Sequence, residues 1–228
     1  VPAVILLTLL NCGAFLAFAL ATGGWVEPDR ESLIRWGSNY GLLSLDGQWW
    51  RLLSATFLHA GYAHLLVNMI TLWAYGGTCE RMFGTRLFTV IYLAGGIAAS
   101  VASLIWNPQV HSVGASGALF ALIGASLAYM IDARNEVPFS VLKDHLYTLL
   151  GFAAYTVLNV LKEAPVDHAA HAGGLLSGMV FGALMSSVAQ DRSAAHNRRL
   201  AFSAAAMLLA LGLLYWISGQ RRDYDENM

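Results

Sequence analysis

Ser116 stands in the stretch SVGASGALFALIG, between Gly114 and Gly117, where an apolar run begins. A hydroxyl on a glycine bend has two readings there. Glycine, alanine and serine let membrane helices approach closely, so the stretch can be packing; the same serine can be a nucleophile if a base reaches it. Two further polar sets interrupt apolar sequence: His59, His64 and Asn68 in FLHAGYAHLLVNM, and His168 and His171 in VDHAAHAGGLLSG. His64 and Asn68, four apart, share a helix face, as do His168 and His171, three apart. Each set alone fits interhelical hydrogen bonding, and the second pair alone also permits a metal site. Together they supply the parts of acyl transfer: a nucleophile, an imidazole to take its proton, and donors at His64 and Asn68 for a developing oxyanion.

The elements that must hold these groups are membrane helices. The chain has 228 residues, 57% hydrophobic and 12% charged, with mean hydropathy +0.56, against about 25% charged in a soluble domain. A net charge of -1 and the lack of a basic cluster give no reason to expect nucleic acid. Cys12 and Cys79 lie in apolar runs and read as small packers rather than a disulfide framework. The opening VPAVILLTLLNCGAFLAFALATGG imitates a signal peptide at Ala17, Phe18 and Ala19 but lacks a basic leader, so it reads as a retained span. The missing initiator Met implies residues upstream.

At about 20 apolar residues per crossing, the expected spans are 3–22, 57–79, 86–106, 116–131, 144–161, 168–189 and 200–218, seven in all. The long connection 23–56, with Trp25, Trp36, Trp49 and Trp50, reads as a structured loop at the membrane interface. The polar tail GQRRDYDENM reads as frayed. Arg81, Arg86, Arg134, Lys143, Arg192, Arg198 and Arg199 follow spans two, four and six, whereas only Lys162 follows spans three and five. Basic loops stay inside, which sets the N-terminus inside and the C-terminus outside.

Spans two, four and six then start at the outer face, and their first turns carry the polar residues. Ser116 lies 16 residues before Asp132 and His64 lies 16 before Glu80, so each sits roughly 24 Å above the inner boundary. In a hydrocarbon core about 30 Å thick, Ser116 falls below the outer surface and Val113, Gly114 and Ala115 become irregular backbone at membrane depth. Such backbone is tolerated only where protein or a watery cavity surrounds it, so a submerged polar pocket is expected. Gly174, Gly178 and Gly182 on span six, with Gly117, Ala121 and Ala125 on span four, repeat every fourth residue and predict close backbone contact between the two.

With these residues in place, the chain resembles the rhomboid intramembrane serine proteases. The resemblance rests on Trp50 and Arg51, HAGYAHLLVN from His59 to Asn68, GGTCE from Gly76 to Glu80, GASGALFALIG from Gly114 to Gly124 and AHAGGLLSG from Ala170 to Gly178. It covers about residues 3–189 and implies an all-α polytopic bundle with a six-helix core over 1–189; residues 190–228 would add an inner loop, a seventh transmembrane helix and the tail. It further implies Ser116 as nucleophile and His171 as general base in a dyad, with the Ser116 N–H and the His64 and Asn68 side chains as the oxyanion site. Gly114 supports the bend. Trp50 and Arg51 look structural, Arg51 by bonding loop carbonyls. His59 lines the pocket or holds the loop, His168 has no assigned role, and Phe120 either packs on His171 or is ordinary core. Glu80 with Arg81 reads as an interfacial anchor or a tertiary hydrogen bond.

Asp167, four residues before His171, reads as a helix cap rather than a third catalytic member. No metal or cofactor is implied. The resemblance makes the partners transmembrane substrates in the lipid bilayer, cut near the outer face beside small residues where a helix unwinds, with the site opening to the outside of a plasma or inner membrane. Two rivals stand beside this reading. One is a transporter or haem bundle, which repeated broken helices or facing histidine pairs would signal. The other is a catalytically silent relative that binds membrane clients, against which Ser116 and His171 argue.

Overall fold

The computed structural model describes residues 1–131 and 166–188, with scattered helical residues between 139 and 154. Among the described residues the fold is all-helical; the one β-like feature is an antiparallel bridge between Asn39 and Ser112. Of the expected span 144–161 only a few residues are described, and 190–228, with the expected span 200–218, lies outside them.

Helix α1 (Pro2–Thr22) starts on a proline, whose fixed φ suits a first turn, and ends where Gly23 turns left-handed and donates its N–H to the Ala19 carbonyl at 2.8 Å. The connection from 23 to 56 folds into three short helices, α2 (Arg30–Trp36), α3 (Gly41–Ser44) and α4 (Arg51–Ser54), followed by a 3-10 turn at Ala55–Phe57. Asp29 caps α2 by accepting the Ser32 N–H at 2.8 Å, and those bonds hold its carboxyl below the usual carboxylate value. Trp25, Trp36, Trp49 and Trp50 are all partly exposed here, as interfacial tryptophans are.

The second expected span begins later than its hydropathy suggests. Phe57 ends the 3-10 turn, Leu58 follows it in extended backbone, Gly61 adopts φ +97°, and only then does α5 (Tyr62–Thr71) begin. It passes through a π-helical turn at Leu72–Gly76 into α6 (Gly77–Phe83). The π turn inserts an extra residue into the helical ladder, a feature often found near functional sites. Gly84 then ends α6 and opens α7 (Thr85–Trp106). Helix α8 (Ser116–Ile131) begins on the serine itself, after irregular backbone at 113–115, and α9 (His168–Val188) follows. By length and composition α1 and α7 are long and apolar enough to cross a membrane, and α8 is a shorter apolar helix.

Helix α8 is the axis of the bundle. Ala115, Ala118, Leu119, Ala121, Leu122, Ile123 and Ala125 have no exposed surface, because α5, α7 and α9 surround it. A helix apolar all round belongs in a protein core or in lipid, and over these residues α8 is covered by protein. Leu72, Tyr75, Cys79, Phe88, Ile91 and Tyr92 extend the same core toward α1. Cys79 is buried with its Sγ 3.3 Å from the Ser126 hydroxyl, and Cys12 is also a free thiol. Glu80 joins α6 to α1: its carboxylate accepts the Ala3 and Val4 N–H groups at 3.1 and 2.9 Å and the Thr85 hydroxyl at 2.8 Å. The first-turn donors of α1, which have no acceptor within their own helix, are thereby satisfied from a distant element.

Candidate active site

Two helices set the serine against the histidine. Gly174, Gly178 and Gly182 of α9 each face α8 so closely that a Cβ there would strike the carbonyl oxygens of Gly117, Ala121 and Ala125, in that order. Both numbers rise together along the contact, so α8 and α9 run parallel. On α7, Gly95 and Gly96 admit Ala121 and Thr56 in the same way. The result is a Ser116 Oγ to His171 Nε2 distance of 2.8 Å, hydrogen-bonding range, between half-buried side chains. The Phe120 ring, one turn along α8, stacks on the His171 imidazole with centroids 4.5 Å apart and planes 24° from parallel. Both readings given for Phe120 are observed, since the ring also packs against the hydrophobic core.

Beside this pair, Gly114 takes φ +122°, a conformation that costs a side-chain-bearing residue energy. A Cβ at Gly114 would also meet His64 Cε1 at 2.7 Å and Nε2 at 2.9 Å, so that edge of the imidazole lies on the loop that leads into Ser116. Asn68, buried one turn further along α5, donates from Nδ2 to the His64 carbonyl at 2.8 Å. His59 is buried with its ring edge-on to His64. The Ser116 N–H belongs to the first turn of α8, which leaves its amides without helical acceptors and carries partial positive charge.

The remaining expected residues sit apart. Arg51 is buried, its guanidinium donating to the carbonyls of Ile34 and Ser38 at 2.6 and 3.1 Å and to Gln48 Oε1 at 2.8 Å. Burial pushes its pKa down. The guanidinium also lies 4.8 Å from the Trp50 ring centroid, and that ring covers Gly37. Both residues therefore brace the first loop and do not touch the serine. His168 is exposed at the start of α9. Asp167 caps α9: its Oδ1 accepts the Ala170 N–H at 2.9 Å.

A clamp on the serine loop has no counterpart in the sequence reading. Asn39 and Ser112 exchange backbone N–H bonds at 3.0 and 2.9 Å, the Gly41 N–H donates to the Pro108 carbonyl at 2.9 Å, and the Gly114 N–H donates to the Ala55 carbonyl at 2.8 Å. The Asn39 side chain donates to the Ser100 carbonyl at 2.8 Å and accepts from the Ser44 hydroxyl at 2.9 Å. The first loop thus fixes the segment from 108 to 114 against α7. Asn39 sits in a polar loop without periodicity; the flanking Gly41 and Ser44 were its only sequence signals.

Fold and site together define an all-helical bundle wrapped round one buried helix whose first residue is a serine in contact with an imidazole. A rhomboid domain model matches residues 46–188. Rhomboid protease AarA of Providencia stuartii is 30% identical over 241 residues, covering 96% of this chain and 85% of that protein. Rhomboid protease GluP of Bacillus subtilis (strain 168) is 35% identical over 194 residues, covering 83% of this chain but 36% of that protein. RHOMBOID-like protein 5 of Arabidopsis thaliana is 35% identical over 159 residues, 68% of this chain and 50% of that protein. The chain spans only a third to a half of the latter two. It belongs to the rhomboid family, and is accordingly an integral membrane protein.

Proposed function

We propose that this chain is an intramembrane serine endopeptidase that cleaves transmembrane segments of other membrane proteins with a Ser116–His171 dyad. The observation that supports this most is the 2.8 Å separation of hydroxyl and imidazole at the head of a buried helix. The Ser116 hydroxyl donates its proton to His171 Nε2 as Oγ attacks the peptide carbonyl carbon. The tetrahedral intermediate's negative oxygen is stabilised by the Ser116 N–H and by donors on His64 and Asn68. His171 returns the proton to the departing amine nitrogen, the C–N bond breaks, and an acyl-serine ester remains. Water, deprotonated by His171, then attacks the ester and releases the carboxylate and the free serine.

The protease core is read as 1–189, including loop 23–56, with a seventh helix in 190–228. The chain crosses the membrane several times, N-terminus inside, and its site opens to the outer side of a plasma or inner membrane. Substrates are cut near that face beside small residues, where a helix unwinds enough to expose a peptide bond. Ser116, His171 and Phe120 support these roles by direct contact, His64 by its edge on Gly114, and Asn68 by lying one turn along α5 and bonding the His64 carbonyl; Gly114, His59, Trp50 and Arg51 support them by holding backbone and loop.

The test is cleavage of a labelled transmembrane substrate by the purified protein in lipid. Ser116→Ala and His171→Ala should each lower turnover on the order of 10³-fold or more. A fluorophosphonate probe should label the wild type and not Ser116→Ala, which separates an enzyme from a silent client-binding relative. Equal cleavage by wild type and Ser116→Ala rules the nucleophile out.

A further inference from the structure

His59 is 1% exposed, and apart from a weak interaction with the Phe57 carbonyl its ring nitrogens have no hydrogen-bond partner. A buried polar ring so weakly bonded is costly, and its well-formed contact is instead made by the face and edge of the ring. Its ring meets His64 edge-to-face, centroids 5.3 Å apart and planes at 66°. The next residue is also engaged: the Ala60 N–H donates to His64 Nδ1 at 3.3 Å. A neutral imidazole that accepts at Nδ1 carries its proton on Nε2. That nitrogen belongs to the edge lying on Gly114, two residues before Ser116.

We infer that the His59–Ala60 segment is a positioning device for His64: the His59 ring fixes the plane of the His64 imidazole, and the Ala60 amide fixes its tautomer, so that an Nε2–H points toward the serine loop. This rests on the oxyanion role given to His64 in the proposed function and adds what makes His64 a donor. An imidazole with its proton on Nδ1 would present a lone pair to a developing oxyanion and repel it. Edge-to-face ring packing needs an aromatic ring and not a nitrogen, so a phenyl ring at position 59 does the same work.

The experiment uses the full chain reconstituted in lipid, with His59→Phe and His59→Ala, each alone and combined with His64→Ala. Because losing one oxyanion donor costs about 10²–10³-fold, misplacing it should cost about tenfold. His59→Ala is expected to lower kcat by about that factor with KM within about twofold, while His59→Phe stays within about twofold of wild type. In the His64→Ala background, His59→Ala should cost less than about twofold further, since a residue acting through His64 has nothing left to act on. A purely structural residue would cost the same factor in both backgrounds, and that result overturns the inference. So does a His59→Phe variant as impaired as His59→Ala.

A second readout does not depend on cleavage. In ¹⁵N-histidine-labelled protein, His64 should be protonated at Nε2 in wild type and His59→Phe, and should lose that single tautomer in His59→Ala or in an ester replacing the Ala60 amide. An unchanged tautomer in the ester variant overturns the inference, even if the protease reading stands. Conversely, failure of the fluorophosphonate probe to label Ser116 would undo the protease reading while the His64 tautomer still reports on His59 and Ala60.

Discussion

A Cβ on Gly174 would fall on the carbonyl oxygen of Gly117, the residue after Ser116. Backbone cannot retract as a flexible side chain can, so a larger residue at 174 must push α9 away from α8. A displacement near 1 Å costs on the order of 10²-fold where reacting groups are prealigned. Gly174→Val is therefore expected to lower cleavage about 100-fold and fluorophosphonate labelling in parallel, with an overpacking cost of about 1–3 kcal/mol in stability. Ala172→Val, on the exposed face of the same helix, should leave both near wild type. Normal turnover by Gly174→Val would mean that the close register of the two helices does not set the dyad.

The clamp predicts a loss without touching any reacting atom. Asn39 is fully buried and fills one acceptor on Ser100 and one donor on Ser44. Asn39→Ala leaves both without their partner, a cost of about 1–3 kcal/mol, and frees the backbone that holds Ser112. Thermal unfolding in detergent should drop accordingly, and labelling of Ser116 should slow by several-fold. Asn39→Asp should be at least as damaging, because a carboxylate accepts from Ser44 but cannot donate to the Ser100 carbonyl.

These two residues mark what a sequence reading reaches and what it misses. Gly174 was legible because a helix repeats its faces every four residues, so Gly174, Gly178 and Gly182 announce a stripe and Gly117, Ala121 and Ala125 its partner. Ser116, His171, His64 and Asn68 stand out as candidates for a related reason: a polar group inside an apolar run is conspicuous, and its position along a helix gives its depth. Asn39 has neither advantage, since a loop-to-loop pairing with Ser112 leaves no period in the sequence. The sequence marks Glu80 as an anchor or a tertiary bond, but its partners, the amides of Ala3 and Val4, are backbone groups that every residue carries. Hydropathy likewise placed the start of span two at residue 57. It averages over Phe57 and Leu58, whereas the helix starts where Gly61 permits the chain to turn.

Asp167 offers a direct comparison between capping and catalysis. Its Oδ1 satisfies the Ala170 N–H, and its own carbonyl accepts the His171 N–H at 3.2 Å. Asn can replace that acceptor and Ala cannot. Asp167→Asn is expected to keep most of the stability and activity, while Asp167→Ala loses about 1 kcal/mol of stability and shows a modest fall in turnover, far smaller than that of His171→Ala. If Asp167→Asn were as inactive as His171→Ala, the carboxylate would be a third member of the catalytic group and not a cap.

His111, in the loop between α7 and α8, makes stability depend on pH. It is half-buried beside Ser112, with Nδ1 buried and unbonded. Burial first, and the Arg30 charge second, lower its pKa from the ordinary 6.5. Arg30 is held nearby, donating to the Gln109 carbonyl at 3.1 Å and lying over the Tyr40 ring. A group whose folded pKa is depressed binds fewer protons folded than unfolded, so stability rises with pH across that window. The penalty is absent well above 6.5 and grows as pH falls below it, until the folded ring also protonates. His111→Gln cannot titrate and is expected to flatten the melting-temperature profile between about pH 5 and 7, with little change at pH 8. Arg30→Gln should flatten it less, since the charge is the smaller cause. Superimposable profiles for wild type and His111→Gln would assign the acid sensitivity to another group and leave the docking of this loop on Asn39 indifferent to protons.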